Sequence, residues 1–149
     1  MKIFRFMSKQ EFEKYQNGEL LINNTIHQGK TNSIGFCFLK TDDYMPEKAL
    51  HFLSGVASLD ICAVFETKQK LKQTKGTYAK MFPSTGNAVI DFLRVLSGMT
   101  EQFDVTEYCT TQYSNKDFKL LKYSENLYSQ WQPEEIQSKL KWKEGVLNV

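Results

Sequence analysis

The sequence has few of the residues on which metal, disulfide or triad chemistry depends. It holds three cysteines and two histidines in 149 residues. Cys37, Cys62 and Cys109 form an odd set without a Cys-x-x-Cys pair, so the spacing indicates neither a disulfide framework nor a zinc site. We expect reduced, buried thiols and no metal site. With only His27 and His51 available, a Ser-His-Asp triad is disfavoured, and the sequence also lacks a phosphate-binding glycine-rich loop.

The sequence also lacks a long apolar run and a strong net charge. No stretch approaches the roughly 20 apolar residues that span a bilayer, and the first residues do not form a signal peptide. We therefore expect a cytoplasmic protein without membrane contact. The formal net charge of +2 is too small to imply a polyanionic partner. The basic run Lys68, Lys70, Lys72 and Lys75 has no interleaved aromatics, so we interpret it as a solvated, mobile segment, with a phosphate-contacting patch as the alternative.

What the sequence does contain is material for one hydrophobic core. Hydrophobic residues make up 41% of the chain and aromatic residues 13%. A chain of this length suits a single domain, which we place at 1–149, and it needs neither metal nor disulfide to fold.

Short strand patterns alternate with short helix patterns along the chain, which predicts an α+β domain. The strands are predicted at 2–7, 19–23, 35–39, 59–66, 76–81, 103–113 and 118–123, and the helices after Ser8, after Pro46, at 88–96 and at 132–142. The spacing of Ser8 and Glu11 predicts a capping box at the start of the first helix. The last two strands are expected to form a hairpin across 114–117. The C-terminal helix, bracketed by Trp131 and Trp142, is expected to pack on the domain.

A sparse pattern of polar residues accompanies these elements. Arg5 lies on the first predicted strand, and Thr31-Asn32-Ser33 leads into the strand that starts at Gly35. Glu107 lies on a late strand. In this order and spacing the chain resembles ADP-ribosyltransferases of the arginine, serine, glutamate class.

The resemblance implies a split, mixed or antiparallel sheet around a cleft for NAD, which would be a substrate. Arg5 would bind the phosphates or ribose of NAD, Ser33 would orient the catalytic carboxylate, and Glu107 would be that carboxylate. Thr31 belongs to the same serine-containing element. The chain departs from the family pattern at two places. The Ser-Thr-Ser element of the family is Thr31-Asn32-Ser33 here, and Val105 stands where arginine-directed enzymes carry a second Glu or Gln.

The residue types suit this chemistry. Breaking the bond between nicotinamide and ribose develops positive charge on the sugar, which a fixed carboxylate stabilises. A guanidinium donates two parallel hydrogen bonds to a diphosphate. Tyr78 is a candidate to stack on a ring of NAD, and His27, in a polar loop, is a candidate ligand contact.

Each of these residues also has an interpretation without a function. Arg5 suits a strand end paired with a surface carboxylate. Ser33 suits a turn, and Glu107 suits the solvated face of its strand. Tyr78 suits the core, as does His51, while solvent exposure is the ordinary outcome for His27.

Three functions therefore remain open. The first is an NAD-dependent mono-ADP-ribosyltransferase-like enzyme that modifies a protein or nucleic-acid acceptor. The second is a small phage- or bacterium-encoded inhibitor on the same fold, which binds a protein partner through an aromatic surface. The candidate residues of that surface are Tyr108, Tyr113, Tyr123, Tyr128 and Trp131. The third is a nucleic-acid-binding domain that uses the segment from Lys68 to Lys80.

Overall fold

The computed structural model describes residues 1–27, 30–31, 33–53, 59–79, 86–96, 102–130 and 140–145. The strands are β1 (Lys2–Met7), β2 (Leu21–Ile22), β3 (Lys30–Thr31), β4 (Phe36–Lys40), β5 (Ile61–Thr67), β6 (Lys72–Ala79), β7 (Gln102–Thr110), β8 (Gln112–Tyr113), β9 (Phe118–Glu125) and β10 (Lys143–Glu144). The helices are α1 (Lys9–Gln16), α2 (Pro46–Leu53), α3 (Ala88–Leu96) and α4 (Leu127–Gln130). None of these described helices is long and apolar enough to cross a bilayer.

One large sheet organises the chain. Within the described ranges its eight strands lie in the order β10-β9-β5-β1-β4-β7-β6-β3, and β2 and β8 form a separate two-stranded sheet. Every strand pairing in the described residues is antiparallel. A mostly antiparallel sheet with a few helices confirms the predicted α+β class.

The central strand β1 is buried on both faces because its apolar side chains alternate between them. Ile3 and Met7 point to one face, and Phe4 and Phe6 point to the other. Among the described residues, β1 pairs with β5 over all six of its residues and with β4 at its start. Arg5 is the polar member of this strand, and its side chain lies on the Ile3 face.

Two apolar clusters therefore sandwich the sheet. The first cluster lies on the Phe4 face and includes Ala49 and Leu50 of α2 and Leu127 of α4. The second lies on the Ile3 face, where α1 contributes Phe12 and Tyr15. Helices on both sides thus exclude water from the middle of the sheet.

The first helix starts where the sequence predicts, but only half of its capping box forms. The Ser8 hydroxyl accepts a hydrogen bond from the Glu11 backbone N–H at 3.1 Å. The Glu11 carboxylate does not return this bond, because it binds the Arg5 guanidinium across α1 and β1. The ion pair with Arg5 therefore takes the place of the second hydrogen bond of the capping box.

One expectation for the second half of the chain is wrong, and another holds only in part. β7 and β9 do not form a hairpin, because β7 pairs with β4 and β6 while β9 pairs with β5 and β10. The turn at 114–117 joins β9 to β8 of the small sheet instead. The four lysines of the basic run are exposed, as expected of a solvated segment, but part of the run is a strand, since β6 begins at Lys72 and therefore includes Lys75.

The chain end is described only from 140 to 145, so most of the helix predicted at 132–142, with Trp131, lies outside the described residues. Leu140 to Trp142 are not helical. Trp142 packs partly on the first cluster and donates its indole N–H to Glu47 of α2 at 3.1 Å. This contact attaches the described segment 140–145 to α2.

Candidate functional site

Glu107 lies at the centre of a buried polar cluster. Along β7 the side chains of Val105, Glu107 and Cys109 point to the same face and are all buried, and that of Glu107 has no exposed surface. Glu107 stands opposite Thr74 of β6 in the antiparallel ladder. The alternative that placed Glu107 on a solvated face is therefore wrong, because the face shared with Val105 is the one covered by the first cluster.

Two hydroxyl groups hold the Glu107 carboxylate. Ser33 donates from Oγ to Oε2 at 3.2 Å, and Tyr78 donates its phenol O–H to Oε1. Burial and the charge of Glu107 raise the pKa of Tyr78 well above its ordinary value, so its phenol stays protonated as the donor.

Gly76 creates the room that lets Tyr78 reach Glu107. It lies between Thr74 and Tyr78 on the same face of β6. A Cβ atom at Gly76 would lie 2.6 Å from Glu107 Oε1 and 3.0 Å from Tyr78 Cε2. The missing side chain therefore allows the tyrosine ring to lie along the strand.

The path of the chain explains how Ser33 meets a residue 74 positions away. In the sheet order, β3 and β4 are separated by β7 and β6, although only four residues join them in sequence. Ser33 lies between these strands in sequence, and its hydroxyl reaches both β6 and β7. It is 3.0 Å from Thr74 Oγ1 and 3.2 Å from Glu107 Oε2. Ser33 is 1% exposed and contacts the Glu107 carboxylate, so it helps to shield that carboxylate from solvent.

A pair of cysteines adjoins this cluster. Cys37 of β4 stands directly opposite Cys109 of β7, and their Sγ atoms are 3.1 Å apart. Thr74 Oγ1 is 3.4 Å from Cys109 Sγ, which connects the thiol pair to Ser33 and Glu107. The hydrogen bond from Cys37 lowers the pKa of the Cys109 thiol to about 6, against the raising effect of its burial.

Arg5 lies on the opposite face of the sheet from Glu107. Its Nε and Nη2 atoms donate to the two oxygens of Glu11 at 2.7 and 2.9 Å, and Nη1 donates to the Cys37 carbonyl at 3.1 Å. The guanidinium also lies over the rings of Phe36 and Phe38, with distances of 5.2 and 5.9 Å to their centroids. The structure thus brings together Ser33, Glu107 and Tyr78, whereas Arg5 does not converge with them.

The remaining candidate residues lie nearer the sheet edge. His27 Nε2 is 2.7 Å from the Gly35 carbonyl oxygen, so the ring supports the turn before β4. Thr31 lies on β3, opposite Lys75, and its side chain lies outside the described part of the structure. The same holds for the side chain of His51.

The basic segment and an open groove are two further surfaces of the molecule. Lys68, Lys70, Lys72 and Lys75 are exposed, and Lys80 lies outside the described residues. An open groove of about 580 Å³ lies where β5 ends and β9 begins, and it is lined by Met1, Glu66 and Lys119 among others. Neither Arg5, Ser33 nor Glu107 lines it, so this groove is separate from the Glu107 cluster.

No family model, curated protein or solved structure matches this chain. Any function must therefore be argued from the geometry around Glu107. Four residues in or beside the Glu107 cluster were not predicted as site residues from the sequence: Cys37, Thr74, Gly76 and Cys109. The alternation of Val105, Glu107 and Cys109 was the available signal for Cys109, because residues two apart on a strand share a face. Nothing local in the sequence indicates the other three.

Proposed function

We propose that the chain is an NAD-dependent mono-ADP-ribosyltransferase-like enzyme with Glu107 as its catalytic carboxylate. A protein or nucleic-acid group is the acceptor. The observation that carries the proposal is the contact between Ser33 and Glu107, because the family resemblance implies a serine that orients the catalytic carboxylate. These two residues were chosen from the sequence, lie 74 positions apart, and make a side-chain hydrogen bond.

The chemistry assigned to Glu107 is electrostatic. The C–N bond between ribose and nicotinamide breaks with both electrons leaving on nicotinamide, and the acceptor attacks the cationic sugar carbon and loses its proton. A carboxylate held by Ser33 and Tyr78 is fixed before charge develops, so it stabilises the cation without reorganising. The Glu107 carboxylate is fully buried and so shielded from water, which strengthens this interaction. Because Glu107 is fully buried, the proposal requires that NAD binding expose it.

The proposal gives Arg5 no contact with NAD. Its guanidinium is engaged by Glu11 and by two aromatic rings on the other face of the sheet. The proposal therefore requires that other hydrogen-bond donors of the chain bind the diphosphate of NAD. This is a further departure from the family pattern, beside those at Thr31-Asn32-Ser33 and Val105.

The Glu107→Gln variant tests the proposal. We expect nicotinamide release from NAD, measured with purified protein and acceptor-rich lysate, to fall by about 10²–10³-fold, the usual cost of removing one well-placed electrostatic group. Glu66→Gln is the matched control, since Glu66 is an exposed carboxylate on β5 and should leave the rate unchanged. Equal rates in the wild type and the Glu107→Gln variant, or no release by either, would count against the enzyme.

A second candidate function, binding of a protein partner, is favoured by one observation on α3. Four apolar side chains of this helix are exposed: Val89 by 66%, Ile90 by 44%, Phe92 by 62% and Leu93 by 55%. Val89, Phe92 and Leu93 fall on one side of the helix. The aromatic surface expected from the sequence is less suitable. Tyr113 is buried, Tyr108 and Tyr123 pack partly on the second cluster, and Trp131 and the Tyr128 side chain lie outside the described part.

The two candidate functions predict opposite behaviour of a helix variant. If α3 is the binding surface, Phe92→Asp should abolish retention of a stoichiometric partner in a pull-down, because a charge at the centre of an apolar interface is costly to desolvate. Glu107→Gln should leave that retention unchanged. Loss of nicotinamide release in Glu107→Gln with full release in Phe92→Asp would favour the enzyme instead.

A further inference from the structure

The sheet places three metal-binding side chains together that are scattered in the sequence. Cys37, Glu107 and Cys109 each offer one ligand atom, and all three atoms lie within 4.8 Å of one another. Cys109 and Glu107 share a face of β7, two residues apart, and Cys37 reaches them from the neighbouring strand β4. The expectation of isolated thiols rested on sequence spacing, which does not reveal strand neighbours.

We propose that Cys37, Cys109 and Glu107 form a binding site for a thiophilic divalent ion, with Zn²⁺ as the preferred occupant. Around tetrahedral Zn²⁺, with Zn–S bonds near 2.3 Å and Zn–O bonds near 2.0–2.2 Å, ligand atoms lie about 3.4–3.8 Å apart. The two sulfurs, at 3.1 Å, need to separate by less than about 1 Å to reach this spacing. Three protein ligands leave the fourth position open for water or another donor.

The donor set selects the class of ion. Two thiolates favour Zn²⁺, Cd²⁺ and other soft or borderline ions over Mg²⁺ and Ca²⁺, which prefer an all-oxygen shell. The bound site would carry one net negative charge from two thiolates, one carboxylate and a divalent ion. That charge is smaller than the charge of a four-cysteine zinc site.

Neighbouring hydroxyl groups orient the ligands. Ser33 and Tyr78 each donate a hydrogen bond to the Glu107 carboxylate and so fix its orientation toward the two cysteines. Thr74 lies 3.4 Å from the Cys109 sulfur, where its hydroxyl can hold the thiolate. Such outer contacts fix ligand orientation and raise metal affinity in known sites. Cys37 is half-buried, which gives an ion a route to the otherwise buried site.

The experiment uses the full chain, reduced with a phosphine and freed of metal. Titration with Co²⁺ should produce thiolate-to-metal charge-transfer bands that saturate at a single ion per chain. Zn²⁺ should displace Co²⁺ and abolish the bands, whereas excess Mg²⁺ should not. Absence of these bands, or their loss to Mg²⁺, would overturn the proposal. None of these readouts involves NAD, so failure of the metal site is distinguishable from failure of the proposed function, which uses the Glu107 carboxylate in the metal-free chain.

Matched alanine variants assign the ligands. Cys37→Ala should lower the Zn²⁺ affinity by at least about 100-fold, since even the loss of an outer contact costs 10–100-fold. Cys62→Ala is the control, because Cys62 is a buried cysteine in the first cluster outside the ligand set, and it should bind as the wild type does. Glu107→Gln should weaken binding and retain the thiolate bands. Unchanged affinity in Cys37→Ala would refute the site, and the half-buried position makes this variant the one best able to fold.

Discussion

Gly35→Ala is expected to destabilise the protein by about 4 kcal/mol, the sum of a left-handed backbone cost and a steric overlap. Gly35 has φ +73°, a conformation that costs a residue with a Cβ roughly 1–2 kcal/mol. That Cβ would lie 2.5 Å from the Thr110 carbonyl oxygen and 2.6 Å from the Asn23 carbonyl oxygen. Both are backbone atoms, so neither can rotate away. Urea unfolding followed by circular dichroism measures the change.

Gly86→Ala separates the two costs. Gly86 has a similar φ of +80°, but a Cβ there would meet nothing within 4 Å. We expect this control to lose only the backbone term, roughly 1–2 kcal/mol. Equal losses in the two variants would show that the close approach at Gly35 is not rigid. Because Gly35 lies two residues after Ser33, a rigid turn here also fixes where Ser33 meets Glu107.

The parts of the fold that the sequence predicts well are those with strong local signals. The bounds of β1 agree with the short apolar run that contains Ile3, Phe4 and Phe6, and α3 agrees with its 3.6-residue period. Both signals are carried by neighbours in sequence. Periodicity does not report exposure, however, and α3 presents apolar side chains to solvent instead of burying them.

The start of β6 was missed because its buried positions do not look apolar. Thr74, Gly76 and Tyr78 alternate as buried residues, but the first two are small, so the run looks polar. Their smallness has a tertiary cause, since Thr74 faces Glu107 and Gly76 makes room for the Tyr78 ring. A strand that lines a polar cluster thus loses the hydrophobic alternation by which strands are recognised.

The hairpin between β7 and β9 was predicted from turn chemistry alone. The turn exists, because the Phe118 N–H donates to the Ser114 carbonyl at 3.0 Å. It connects strands of two different sheets, and β7 is already occupied on both edges by β4 and β6. Local residues specify that a chain reverses, whereas long-range pairing decides which strand it reverses beside.

The candidate site, too, was predicted only in part from the sequence. The family resemblance selected Ser33 and Glu107, which meet, and Tyr78, considered separately as a residue that stacks on NAD, contacts Glu107 as well. The resemblance also selected Arg5, which does not meet them. The sequence contained a competing partner for Arg5 in Glu11, one turn into α1, but its spacing from Ser8 indicated a capping box instead. Both interpretations were chemically sound, and only tertiary packing decides between them.

Arg5→Ala is expected to cost about 3–5 kcal/mol of unfolding free energy, the usual penalty for removing one partner of a buried ion pair. The side chains of Arg5 and Glu11 are only 19% and 15% exposed, and Glu11 also accepts a hydrogen bond from Tyr113 at 2.7 Å. Without the guanidinium, the Glu11 carboxylate stays desolvated and loses two charge-assisted hydrogen bonds. Lys143→Ala is the control, since the Lys143–Glu125 pair is exposed and its loss should have little effect on unfolding.

The double variant Arg5→Met with Glu11→Leu decides what the arginine is for. Replacing a buried ion pair by apolar side chains of similar volume is often neutral or stabilising, so the double variant should recover most of the stability lost in Arg5→Ala. If Arg5 serves only the fold, nicotinamide release by the double variant should equal that of the wild type. A stable double variant with a strongly raised KM for NAD would instead mean that the guanidinium leaves Glu11 to bind the diphosphate. Arg5 would then be an NAD-binding residue and not only a structural one, and it would act together with the catalytic residue Glu107.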